Sequence, residues 1–223
     1  MNGVIGEILP LAVGIAISPL PIIAAILMLL SPRAKSTSVG FLLGWVVGIV
    51  VALVLFTLLS SIIPASDPTA AKPIAGWIKI ILGVLLLLLA VQQWRQRPHP
   101  GQEPALPGWM KAIDSMNAGR GFGLGFLLSA VNPKNLLMAI GGGLAIGAAT
   151  LSIGQTVIVC AIFVVIAAST VLVPVVAYLI AAKQMSAPLE RLRVWLVHHN
   201  AAIMATLLLV IGVVLIGKGI ANF

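Results

Sequence analysis

The feature that most constrains this chain is its succession of apolar runs, several near or beyond the roughly 20 residues that carry a helix across a bilayer. Hydrocarbon offers the backbone no water, so a run of this length must satisfy its own N–H and C=O groups, as a helix does. Six runs are read, at about 5–30, 39–63, 74–94, 121–148, 151–181 and 201–221. With 61% of its residues hydrophobic and 8% charged, and a mean hydropathy of +1.18, the chain carries more apolar side chain than a soluble domain of this size could hide. The expected fold is an all-α integral membrane protein of six transmembrane helices forming one membrane domain. Residues 1–94 make a first three-helix half, 95–120 a cytoplasmic linker with an amphipathic segment, and 121–223 a second three-helix half.

The net charge of +8 sits in short loops between the runs, which points to membrane orientation and lipid headgroups and away from nucleic acid. The loops after the first, third and fifth runs hold Arg33, Lys35, Arg95, Arg97, Lys111, Arg120, Lys183, Arg191 and Arg193; the opposite side holds Lys72, Lys79 and Lys218. Nine against three predicts that the richer side is cytoplasmic and that both termini are outside. Trp77 and Trp94 bracket the third run, about 26 Å apart at helical rise, and read as interface anchors. The N-terminus has no basic n-region, so the first run is expected to be retained rather than cleaved.

Two of the runs are interrupted. Asn132-Pro133-Lys134-Asn135 is a polar stretch inside an apolar segment, and Asn is a favoured N-cap while Pro is favoured at the first helical position. The pattern predicts a helix restarting in mid-span. Ser18-Pro19-Leu20-Pro21 has the same grammar, and its two prolines remove backbone donors and leave carbonyls needing partners. Pro19 and Pro133 lie 114 positions apart, as do Ser38-Val39-Gly40 and Ser152-Ile153-Gly154. Two broken helices, one in each three-helix half, fit an inverted repeat with its site between the breaks, expected from Ser18, Pro19, Pro21, Asn132, Pro133, Lys134 and Asn135. Asn132 and Ser18 are expected to cap the restarted helices.

Lys134 is the one charge well inside a run, at a cost of about 2.5–3.5 kcal/mol on insertion scales. Its partner could be carbonyls freed by a break, a polar side chain, or a bound anion. The anion would also satisfy the N–H groups of a helix start, where a cation opposes the local dipole. Gly40, Gly44 and Gly48 share one helical face, as do Gly143 and Gly147; this spacing serves close packing within the chain or between copies of it.

The remaining candidates are weaker. Glu7 reads as a solvated helix end and Lys79 as a snorkelling side chain beside Trp77. Ser169, Thr170 and Tyr178 near Pro174 could line a pathway, and Cys160 reads as packing. Segments 107–117 and 188–199 each gather apolar residues on one face and are expected to lie at the membrane surface. The spans hold no Asp, Glu, His and Cys cluster for a metal, and the chain no phosphate-binding G-x-x-x-x-G-K-[ST] loop. His99, His198 and His199 all fall in loops, so no Ser/His/Asp arrangement assembles in the membrane. The chain is therefore expected to be no enzyme, with no cofactor and no metal.

Ser18-Pro19-Leu20-Pro21-Ile22-Ile23, Phe41-Leu42-Leu43-Gly44-Trp45 and Asn132-Pro133-Lys134-Asn135-Leu136 resemble the GAP family, the peptidoglycolipid-addressing and sulfolipid-addressing proteins of the LysE superfamily of exporters. The resemblance covers essentially the whole chain. It implies a 3+3 fold of six helices, a role in moving lipids or glycolipids to the cell envelope, and a place for Asn132, Pro133 and Lys134 in the functional core. The expectation is an exporter of an amphiphile with an anionic or polar headgroup, with membrane lipids as partners. Two alternatives stay open: an exporter of amino acids or other small solutes, and a non-transporting scaffold for envelope lipid-synthesis machinery. Homo-oligomerisation is open too.

Overall fold

A computed structural model describes residues 1–61, 73–97 and 108–223; residues 98–107 of the expected linker lie outside the described residues. The described chain is helical. Its elements are α1 (Asn2–Ala16), α2 (Pro19–Leu29), α3 (Ala34–Ser61), α4 (Pro73–Arg95), a 3-10 helix (Gly108–Ser115), α5 (Ala118–Ala130), α6 (Pro133–Gly147) and α7 (Ile153–Ile220). Three helices are long and apolar enough to cross a membrane, or five if each bent pair counts as one crossing. The bent pairs are α1 with α2, at 49°, and α5 with α6, at 62°.

The breaks fall where the prolines require them. Pro19 and Pro133 open α2 and α6, each after a residue in an extended or non-helical conformation, Ser18 and Asn132. The start of α7 is set by a reciprocal cap: Ser152 Oγ accepts from Gln155 N–H, and Gln155 Oε1 accepts from Ser152 N–H. α3 begins five residues before the apolar run expected at 39, because Thr37 Oγ1 donates to Arg33 C=O and carries the polar start of the helix.

Hydrogen bonding runs on through 68 residues of α7, but α7 is not one rod. A straight helix would set Thr170 and Ile211 about 60 Å apart. Both meet the same end of α1: Thr170 bonds Ala16 and Ile211 lies against Gly14. The chain therefore folds back between them, and the non-helical residue Ala181, at φ −138° and ψ 55°, lies within that stretch. Helical hydrogen bonding runs on through 188–199, the segment expected at the membrane surface. It buries Leu189 and Leu196 and leaves Leu192 and Trp195 exposed.

Glycine contacts fix the directions of the remaining helices. Gly40 faces Ala118, Gly44 faces Phe122, and Gly48 faces Phe126 and Ser129, so α3 and α5 run parallel. Gly121 and Gly125 return the contact against Thr37 and Phe41, and Gly143 and Gly147 of α6 carry it on to Phe56, Thr57 and Ser60. These glycine faces are filled within the chain, by backbone meeting backbone. A second set shows no spacing of four: Gly76 packs on Gly219 and Gly83 on Gly212, holding α4 antiparallel to the second arm of α7. α1 is antiparallel to α6, with Gly14 against Met138 and Gly141 against Leu11. This register, carried through the breaks, sets Pro19 level with Pro133. It also gathers the basic loops at one end, where α3 and α5 start, α4 stops and α7 turns.

The bundle is apolar outside as well as inside. Phe41, Trp45 and Phe163 are fully buried, while Leu58 is 60% exposed and Leu88 62% exposed on outward faces, as expected of a surface whose solvent is lipid. Trp77 and Trp94 are exposed near the two ends of α4, and the Arg97 guanidinium lies 4.2 Å from the Trp94 ring centroid. Within 107–117, the segment expected at the membrane surface, the 3-10 helix buries Met110 and Ile113 beside α2.

Candidate functional site

The site grows out of a shortage of backbone donors at the end of α1. Ile17 C=O would accept from residue 21 in a continuous helix, and residue 21 is proline, with no N–H. Gly14 C=O would accept from Ser18 N–H, which instead bonds Ala16 C=O at 2.8 Å. The chain bends here with both of these carbonyls left without their helical donors. Lys134, the second residue of α6, supplies both: its Nζ donates to Gly14 C=O at 2.6 Å and to Ile17 C=O at 3.2 Å. Ala16 C=O takes a further bond from Thr170 Oγ1 at 2.5 Å. Three elements distant in sequence thus close one break.

The second break is closed mostly by its own half. Asn132 Oδ1 accepts from Lys134 N–H at 3.1 Å, the cap expected of it. Asn132 N–H turns back to Leu127 C=O, which leaves Leu128 C=O free, and Asn135 Nδ2 donates to it at 2.9 Å. Ser18 does not cap α2 as expected. Its Oγ donates across the bundle to Asn135 Oδ1 at 3.1 Å, because Pro19 and Pro21 leave the first turn of α2 few N–H groups to cap. Asn135 thereby ties both breaks together.

The position of Lys134 has an electrostatic reason. A cation in the first turn of α6 opposes the dipole of its own helix, but it sits against the C-terminal carbonyls of α1, where a cation is favoured. Among the partners that the sequence left open, the freed carbonyls are the ones observed. Ser18 is 3% exposed, Lys134 3% and Asn135 0%, so the cluster is dry. The Nζ has a third donor with no protein partner among the described residues. Pro19 and Pro21 are buried behind the cluster, and Pro133 is exposed on the outer surface.

Other singled-out residues lie elsewhere. Glu7 and Lys79 are partners, with Lys79 Nζ 2.5 Å from Glu7 Oε1, which replaces the separate solvated and snorkelling readings of them. His198 and His199, expected in a loop, stand on α7; both are exposed, each with Nδ1 2.8 Å from the carbonyl four residues earlier. Among the described residues no group of three or more His, Cys, Asp and Glu could hold a metal. Sequence reasoning passed over Gly14, whose missing side chain admits Met138 and Ile211, and it ranked Thr170 only as a pathway lining. No local signal marks Gly14; Thr170 could have been raised by asking which hydroxyls might serve the carbonyls that Pro19 and Pro21 release.

Apolar helices, two pairs of them bent at a break and tied by a buried lysine, define a multi-pass membrane protein with a buried polar cluster between the breaks. The family whose model matches the chain, over residues 8–221, is described as Sap, sulfolipid-1-addressing protein. The chain belongs to that family. Neither the curated proteins nor the solved structures contain a match to it.

Proposed function

We propose that this protein is a transporter that moves a lipid with an anionic headgroup, of the sulfated kind its family's name indicates, across the bacterial plasma membrane toward the cell envelope. The observation that carries the reading is Lys134: a buried cation whose only partners among the described residues are the carbonyls of the opposite broken helix. Such carbonyls are neutral, so an arriving sulfate or phosphate competes for the ammonium on favourable terms. Releasing Gly14 and Ile17 frees the end of α1 to move. The cluster is the closed state of a headgroup site, with Lys134 as binding residue and latch, Ser18 and Asn135 as the tie between halves, Asn132 as the cap, and Pro19, Pro21 and Pro133 as the source of the breaks.

On this reading the chain crosses the membrane six times as an inverted 3+3 repeat within the LysE superfamily. The two α7 arms count as separate crossings, the basic end is cytoplasmic and both termini are outside. Support comes from the antiparallel register of α1 and α6, which sets the breaks level, and from the fold-back of α7. Dryness at the breaks favours a lipid over a small hydrated solute.

The test is purified protein in phosphatidylcholine vesicles carrying a tail-labelled sulfated lipid in one leaflet, with a tail-labelled phosphatidylcholine as control. The sulfated lipid is expected to equilibrate faster with protein present. Lys134→Ala, losing charge-assisted bonds of about 1.5–3 kcal/mol each, is expected to slow it about tenfold or more. Equal movement of both lipids, unchanged in Lys134→Ala, would overturn the proposal.

A further inference from the structure

A recess of about 350 Å³ lies between α4 and the start of α6, lined by Leu85, Leu88, Leu89, Gln92, Pro133, Leu136 and Leu137. Its floor begins at Pro133, the residue before the latch lysine, and it follows α4 for about 10 Å from Leu85 to Gln92. Gln92 is its one polar side chain. Arg95 and Arg97 stand about one turn beyond, at the basic end of the bundle, with Arg97 over Trp94. The recess therefore has the polarity of an amphiphile, apolar at the level of the breaks and polar then basic toward the interface.

The corresponding positions of the first half behave differently. Pro19, Ile22 and Ile23 stand 114 residues before Pro133, Leu136 and Leu137. Pro19 is buried, with Ile22 8% and Ile23 1% exposed, whereas Pro133 is exposed and both leucines are half-buried. The second break is thus open sideways at positions where the first is closed. An apolar recess on a face already solvated by lipid fills with hydrocarbon, since water there would find one polar partner at most.

We propose that this recess binds an acyl chain of an anionic membrane lipid from the leaflet at the basic end, with the headgroup held near Gln92, Arg95 and Arg97. The inference rests on the transport reading for its purpose, as the side door to Lys134, and on the geometry alone for its existence. The recess is the loading position, from which a headgroup passes Pro133 to reach the latch.

The experiment uses the full chain in vesicles of phosphatidylcholine and phosphatidylglycerol, with a trace of phosphatidylglycerol bearing a diazirine on one acyl chain. After irradiation, label is mapped by peptide. The expected result is severalfold more label in the 85–92 and 133–137 segments than in the more exposed Leu55–Leu59 stretch of α3. Leu88→Trp, on the outer wall where it disturbs no packing, and Leu136→Trp should each reduce it. A phosphatidylcholine bearing the same diazirine should label the recess less. Label spread in proportion to exposure and indifferent to both substitutions would overturn the proposal. The transport reading is judged separately in the same vesicles. A labelled recess in a protein that moves no sulfated lipid supports the site and removes that reading; transport with evenly spread label removes the site and leaves the reading.

Discussion

Replacing Lys134 by methionine should leave the protein folded while abolishing lipid movement, and the first half of that expectation can be worked from the structure. The substitution removes two hydrogen bonds and strands Gly14 C=O and Ile17 C=O. Neither can be reclaimed locally, because Pro21 has no N–H and Ser18 N–H is already given to Ala16. Two unsatisfied buried carbonyls cost about 2–6 kcal/mol together. Against this, the lysine's own burial cost of about 2.5–3.5 kcal/mol is recovered, and methionine refills the aliphatic stem at a packing cost of under about 1.5 kcal/mol. The terms largely offset one another, and the net change is expected between about 1.5 kcal/mol stabilising and about 5 kcal/mol destabilising. Lys134→Ala adds a cavity and should lose about 2–5 kcal/mol more. Unfolding in mixed detergent micelles, followed by tryptophan fluorescence, gives both values. A Lys134→Met protein that fails to insert, or one no more stable than Lys134→Ala, would refute the reasoning, since either would mean that the ammonium does more than satisfy two carbonyls.

Two further predictions concern packing. Gly44→Ala drives a methyl group into the Phe122 carbonyl, a helix backbone that cannot yield, whereas Gly154→Ala meets nothing. The first should cost about 1–3 kcal/mol and the second should gain up to about 1 kcal/mol from helix propensity; equal effects in the same unfolding assay would contradict the parallel packing of α3 on α5. For the partly exposed Glu7–Lys79 pair, a double-mutant cycle with Glu7→Gln and Lys79→Gln should return a coupling of about 0.2–1 kcal/mol that shrinks with salt, and additive effects would dismiss the pair.

Much of this architecture was legible in one dimension because its causes are local. Proline at residues 19, 21 and 133 acts on the carbonyl four residues earlier, so both breaks, the Asn132 cap and the need for donors near residue 17 follow from covalent structure and helix geometry. The apolar runs mark the helices because in hydrocarbon the backbone must satisfy its own hydrogen bonds. What sequence could not assign were partners across the bundle. Lys134 finds Gly14 and Ile17 about 120 residues away, Ser18 leaves its own helix for Asn135, and Thr170 arrives from a third element. Glu7 reads as a lone carboxylate until Lys79 is set beside it. The glycines of α4 and the second arm of α7 escape any search within one helix, because each is needed only where the facing backbone passes. Register between helices is decided by the summed fit of side chains over whole faces, a quantity no single residue carries. Helix, break and unmet demand are thus written locally, and tertiary packing decides which group meets the demand.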